Sequence, residues 1–163
     1  MESQPMVASA LANLGAAERD LGETRSAIEH MQEGLTLRRS LGQQAEMAND
    51  LSDLAIAYLD DSRAPEARAV CEEMLQLLEE SPASVMHPQY VLWSAAQTSW
   101  AEGKEAEARR LLDDAGKALS IKADAIPDDV SRQAFLTLPF NRELAEALRT
   151  GTWPRGRTAK TRG

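Results

Sequence analysis

Hydrophobic residues recur along the chain three and four positions apart, and short stretches containing glycine, serine or proline separate the runs. Because an α-helix has about 3.6 residues per turn, this spacing places the apolar side chains on one helical face. The pattern predicts six long helices and two short ones, at residues 6–21, 24–40, 44–60, 64–80, 88–102, 105–125, 129–138 and 141–148. Runs of β-branched and aromatic residues, which favour strands, are nearly absent. The chain is therefore predicted to be all-α.

The six long helices form three similar pairs. The first helix of each pair has the same spacing of leucines and small residues: Leu11-x-x-Leu14-Gly15, Leu51-x-x-Leu54-Ala55 and Leu92-x-x-Ala95-Ala96. The second helix of each pair has an alanine at the predicted crossing point: Ala27, Ala67 and Ala108. Small residues let two helices approach closely, and a pair that cannot bury its apolar faces alone stacks on its neighbours.

This repeated pattern resembles the tetratricopeptide repeat (TPR) from about Met6 to about Leu119. The resemblance implies a right-handed α-solenoid of three TPR-like helical hairpins, followed by a C-terminal helical cap at residues 126–149. The repeats here are longer than the usual length of roughly 34 residues, which implies longer helices or loops. The apolar face of the cap would cover the end of the solenoid, through Phe135, Leu136, Leu138, Phe140 and Leu144.

The cap segment supports a narrower resemblance. Its motifs are Ile126-Pro127-Asp128, Arg132-x-x-Phe135-Leu136 and Pro139-x-Asn141-Arg142-Glu143-Leu144. They are similar to the end of the TPR region in large bacterial signalling ATPases of the nucleotide-cyclase and LuxR-type regulator families. In those proteins the repeats follow a P-loop ATPase module, so the resemblance implies that this chain is part of a larger signalling or regulatory protein.

Charge divides the chain into two predicted regions. Residues 1–149 form the repeat domain with its cap, and residues 150–163 form a tail with four basic residues and no acidic one. The net charge of −8 disfavours nucleic acid as a partner, because an acidic body repels phosphates. The tail is interpreted either as an electrostatic arm for an acidic partner or as a disordered, solvated terminus, and we favour the second interpretation.

Residue usage also predicts the compartment. The single cysteine, Cys71, allows no disulfide within the chain, which suits the reducing cytoplasm. No apolar run approaches the roughly 20 residues that span a bilayer, and the first residues lack the features of a signal peptide. We therefore expect a cytoplasmic protein that does not bind membranes.

Motifs for chemistry are absent from the sequence. It contains no Walker-type glycine loop, Cys-x-x-Cys pair, His-Glu-x-x-His or Gly-x-Ser-x-Gly. His30 lies near Glu29 and Glu33, but one histidine and a carboxylate are too few for a closed zinc site. Cys71 falls at a core position and is predicted to be a buried hydrophobe. We expect no enzymatic activity, no cofactor and no metal.

The TPR resemblance implies that the first helix of each pair lines a concave groove. The groove residues that this predicts are Asn13, Arg19, Asn49, Asp53, Ile56, Asp60, Tyr90, Trp93, Gln97 and Trp100. The set contains no lysine, which disfavours the TPR clamp for a partner's terminal carboxylate. Asp53 and Asp60 make the groove acidic and favour a peptide with basic and apolar residues.

Two questions remain open from the sequence. Tyr90, Trp93 and Trp100 are either hot spots for a partner or packing residues between the third pair and its neighbours. The leading function is non-catalytic binding of a protein or peptide in the groove. The alternative is structural self-association, in which the open face around Met6, Leu11 and Leu14 forms a homo-oligomer.

Overall fold

A computed structural model describes residues 3–156, and this part of the chain is helical and contains no strand. Eight α-helices follow one another, with a short 3-10 turn at Pro82–Ser84: α1 (Gln4–Asp20), α2 (Thr24–Leu41), α3 (Gln44–Asp60), α4 (Ala64–Glu80), α5 (Pro88–Ala101), α6 (Glu105–Asp124), α7 (Asp129–Leu136) and α8 (Pro139–Thr150). The all-α solenoid predicted from the sequence is confirmed. The predicted helix boundaries lie within two residues of these bounds.

The long helices pack as three consecutive hairpins, α1 with α2, α3 with α4, and α5 with α6. Each hairpin turn has a residue with positive φ at the same repeat position: Gly22 (81°), Ser62 (58°) and Gly103 (78°). The next residue donates its backbone N–H to a carbonyl five positions back in all three turns, at 2.8–2.9 Å. This hydrogen bond is typical of a helix that ends in a left-handed residue, so the three hairpins share one turn geometry.

The first hairpin closes tightly at Gly15. A Cβ atom added there would lie 2.7 Å from Met31 Cγ and 3.0 Å from the carbonyl oxygen of Ala27. Ala55 and Ala96 occupy the same repeat position in the other hairpins and are fully buried. The predicted role of small residues at the crossing points is therefore confirmed.

The hydrophobic core is continuous from α2 to α6 and includes residues of α8. Trp93 is the largest of the fully buried side chains, and Cys71 is also fully buried. The Cys71 thiol lies 3.2 Å from the hydroxyl of Thr98, and burial raises the pKa of the thiol to about 12. The prediction that Cys71 is a core residue is confirmed.

The last helix, α8, packs against α5 and α6. It begins at Pro139 rather than at the predicted residue 141, because proline lacks an N–H and its fixed φ suits the first helical position. Asn141 is instead fully buried: its side-chain amide donates to the Phe135 carbonyl at 2.8 Å and accepts from Gln89 at 3.1 Å. Leu144 is fully buried in the same contact.

The close approach at Gly15 leads to a stability prediction. Gly15→Val should lower the free energy of unfolding by about 1–3 kcal/mol, because the added atoms meet the backbone of α2 as well as Met31. Gly116→Val in α6 is the matched control, since an added Cβ there meets only the side chain of Leu148, which is 41% exposed. Urea unfolding monitored by circular dichroism measures both. Equal losses in the two variants would contradict the packing argument.

Candidate functional site

The ten residues predicted to line the groove lie on α1, α3 and α5. Contacts join α1 to α3 and α3 to α5, so the three helices lie side by side. We call the surface formed by their side chains the inner face. Exposure differs along it: Asn13, Asp60 and Trp100 are exposed or half-buried, whereas Ile56 and Trp93 are buried.

A partly buried polar cluster joins α1, α3 and α5 within the inner face. The Tyr90 hydroxyl donates a hydrogen bond to Asp53 Oδ1 at 2.5 Å, and Arg19 Nη1 lies 3.6 Å from the same oxygen. Burial raises the pKa of the Asp53 carboxyl and holds the pKa of Tyr90 well above its usual value, so the phenol remains a neutral donor. The half-buried Asn49 lies one turn before Asp53 on α3.

Tyr90 also packs against the last helix. Its ring stacks on Phe140 with 4.2 Å between centroids and a 13° angle between the planes. The side chain is only 4% exposed. Tyr90 is therefore a packing residue and not an exposed hot spot for a partner.

Trp93 and Trp100 face a third indole, which comes from the segment that follows α8. The Trp153 ring lies 4.7 Å from that of Trp100, with 7° between the planes, and 5.6 Å from that of Trp93. Trp93 is fully buried and donates its indole N–H to Glu143 Oε1 at 3.0 Å. Trp100 is half-buried, so its ring is the more accessible of the two.

Beside the indoles, three side-chain acceptors surround Arg155. Its Nε donates to Asp60 Oδ1 at 2.7 Å. Its Nη1 donates to Gln97 Oε1 at 2.7 Å and to Glu143 Oε1 at 3.3 Å. The three acceptors come from α3, α5 and α8, so this arginine subsite exists only when the three helices are packed together.

Sequence reasoning missed Glu143, Trp153 and Arg155. Glu143 is predicted only as part of the cap, and residues 150–163 are predicted to form a tail because they carry four basic residues and no acidic one. The structure places residues 151–156 after α8 and brings Trp153 and Arg155 to the inner face. The remaining tail residues, 157–163, lie outside the described residues. One signal in the sequence could have indicated this contact: Trp153 and Arg155 carry the aromatic and cationic groups that the predicted acidic groove favours.

Residues 3–156 contain no group of three histidine, cysteine, aspartate or glutamate side chains arranged to hold a metal ion. His30 Nδ1 lies 2.7 Å from Glu18 Oε2, and Glu18 Oε1 accepts from Ser26 at 2.6 Å. Among the helices in this range, none is long and apolar enough to cross a membrane.

The first hairpin matches a known repeat family in sequence. Residues 7–43 match the family model of the tetratricopeptide repeat. The match covers α1 and α2. No curated protein matches the chain. Tetratricopeptide repeats generally mediate protein–protein interaction, and an all-helical fold of this kind is typically a non-catalytic interaction module.

The polar cluster of this repeat array leads to a second stability prediction. Tyr90→Phe should lower the free energy of unfolding by about 1–3 kcal/mol, because it leaves the Asp53 carboxylate without its hydroxyl donor. Tyr58→Phe is the matched control: the Tyr58 hydroxyl accepts from Gln32 at 2.6 Å, and Gln32 is exposed and can turn to water. We expect the control to lose less than about 1 kcal/mol. Urea unfolding measures both, and equal losses would contradict a special role for the cluster.

Proposed function

We propose that this chain is a non-catalytic module that binds a protein or peptide on its inner face, in the groove expected of a tetratricopeptide array. One observation carries the proposal: Trp93 and Trp100 lie beside the acceptors Asp60, Gln97 and Glu143 at one end of the inner face. A flat apolar surface next to a cluster of oxygen atoms suits a ligand that has both an apolar and a cationic group.

Two further properties support a basic, apolar peptide as the ligand. The chain carries a net charge of −8, so its field attracts a cationic segment during encounter. Tryptophan side chains are rigid and large, and they supply a disproportionate share of binding energy at protein interfaces. The half-buried Trp100 is the side chain that offers this surface most directly.

We also propose that the module acts in the cytoplasm within a larger signalling or regulatory protein of the bacterial ATPase type. The support is the similarity of residues 126–149 to the end of the TPR region in those regulators. Binding of a partner to the repeats would then shift the conformational equilibrium of an attached catalytic module. Deleting the repeats from the parent protein should abolish its response to the partner, and an unchanged response would refute this part of the proposal.

Self-association is a second candidate, because α1 and the residue that follows it expose large apolar side chains. Met6 is 66% exposed, Leu14 44% and Leu21 75%. Unpartnered apolar residues of this kind favour association with a second copy. Light scattering over a range of concentrations tests this candidate. A constant mass equal to the monomer would exclude it, and a concentration-dependent mass that Leu14→Ala and Leu21→Ala lower would support it.

The groove proposal is tested by selecting displayed random peptides on the immobilised full chain. We expect enriched peptides to combine an aromatic residue with arginine or lysine. Trp100→Ala should weaken their binding about tenfold or more, which is the range for a central aromatic residue. Ile121→Ala is the matched control, because Ile121 is 70% exposed on α6, away from the inner face. A failure to enrich any peptide, or equal binding by Trp100→Ala, would contradict the proposal.

A further inference from the structure

Residues 151–156 follow a directed path back to the inner face. Gly151 has φ of 70°, a left-handed conformation that ends α8 and reverses the chain. The Thr150 and Thr152 hydroxyls lie 2.6 Å apart, and the Thr152 N–H donates to the Thr150 hydroxyl at 3.2 Å. Pro154 restricts the backbone between the two side chains that contact the inner face. Local interactions thus favour the direction in which the segment leaves α8.

Burial alternates along this segment. Trp153 and Arg155 are half-buried, whereas Thr152, Pro154 and Gly156 are exposed. The chain bends at Pro154 and Arg155. The side chains of Trp153 and Arg155 nevertheless both contact the inner face, Trp153 through the indole rings and Arg155 through the acceptor oxygens.

Each of the two side chains occupies a subsite of different chemistry. Trp153 stacks on both Trp100 and Trp93 and supplies the apolar contact. Arg155 donates to the carboxylates of Asp60 and Glu143 and to the amide oxygen of Gln97. A planar guanidinium can serve two separated acceptors at once, whereas the single ammonium of lysine offers a point charge. The second subsite therefore favours arginine.

We propose that the inner face binds a segment with an aromatic residue and, two positions later, an arginine, and that Thr152–Gly156 of this chain fills that site as a tethered occupant. A partner segment of the same chemistry must displace this occupant in order to bind. The inference rests on the proposed function, since it names the ligand chemistry of the same face.

The segment is held on the inner face by few polar contacts, so a competing peptide can displace it. The polar contacts that join residues 153–156 to the inner face all come from the Arg155 side chain. Arg155 keeps 24% of its side chain exposed, and its charge-assisted hydrogen bonds weaken as salt screens them. A short tether nevertheless gives the occupant an effective concentration in the millimolar range. The unchanged chain would therefore bind a matching peptide weakly. A variant in which the segment no longer occupies the site would bind the same peptide more tightly.

The test uses the full chain with Trp153→Ala and Arg155→Ala combined, compared with the unchanged chain. The probe is a labelled peptide Gly-Thr-Trp-Pro-Arg-Gly with blocked ends, and its binding is measured by fluorescence anisotropy. We expect the double variant to bind the probe about tenfold or more tightly than the unchanged chain, because the tethered competitor is gone. Replacing arginine by lysine or tryptophan by alanine in the probe should each weaken binding several-fold.

Matched variants assign the binding to the inner face. In the double-variant background, Asp60→Asn should weaken probe binding several-fold, whereas Asp124→Asn at the exposed end of α6 should leave it unchanged. Circular dichroism and urea unfolding check that each variant is folded. If the double variant fails to fold, Arg155→Glu replaces it: the new carboxylate faces Asp60 and Glu143, empties the arginine subsite and should still raise probe affinity.

The outcomes separate this inference from the proposed function. Equal probe affinity for the unchanged and emptied chains would overturn the tethered occupant and leave peptide binding intact. Absence of binding by every folded variant would overturn the aromatic-x-arginine chemistry, while the unbiased peptide selection would still test the proposed function. A dimer of the unchanged chain that dissociates in the double variant would overturn the intramolecular arrangement, since the segment would then fill the site of a second copy.

Discussion

The two helices of each hairpin cross where both present a small side chain, and the arrangement of the inner face depends on that close approach. Gly15, Ala55 and Ala96 occupy equivalent positions on the first helices, and the carbonyl of Ala27 would lie 3.0 Å from any Cβ at Gly15. A larger side chain would push the helices apart. The same turn geometry at Gly22, Ser62 and Gly103 then sets the direction of each second helix. Equivalent hairpins stack, and their first helices come to lie side by side.

The side-by-side placement of α1, α3 and α5 gives the inner face two different ends. At one end, Tyr90 donates a hydrogen bond to Asp53 and Arg19 forms an ion pair with the same carboxylate, and the stacking of Tyr90 on Phe140 ties this cluster to α8. Removing charges from water, even in part, costs desolvation energy that pairing offsets. At the other end, the acceptors Asp60 and Glu143 have no cationic partner within the repeats themselves, and Arg155 supplies one. The first end thus holds helices together, and the second receives a side chain from outside the hairpins.

The segment after α8 links the fold to the function that we propose. The inner face presents indole rings and oxygen atoms, and the chain itself carries an indole and a guanidinium at the spacing that fits them. An occupant held by side chains alone can exchange with a competitor without disturbing any helix. The helical framework can therefore stay constant while the ligand changes, which is the general advantage of a rigid repeat scaffold.

The sequence by itself determined the elements of this protein. Helical periodicity, alanine and glycine at crossing positions and proline at helix starts are local properties, so the eight helices and their pairing followed from short-range rules. The same rules placed Asp53, Asp60, Trp93 and Trp100 on the helices that line one face. Proline at a helix start is also the local rule that fits the beginning of α8 at Pro139, whereas the burial of Asn141 depends on Gln89 and Phe135, which are contributed by other elements.

Only the tertiary structure decided what each inner-face residue does. Tyr90 and Trp93 are buried because α8 covers them, and Trp100 is not, although all three lie on one helix at helical spacing. Likewise, no pattern along the chain associates Asp60, Gln97 and Glu143, since they come from three helices far apart in sequence. Helix formation depends on neighbours within a few positions, whereas the exposure and hydrogen bonding of a side chain depend on which elements, distant in sequence, pack against it. Periodicity therefore predicts the framework, and packing assigns the site.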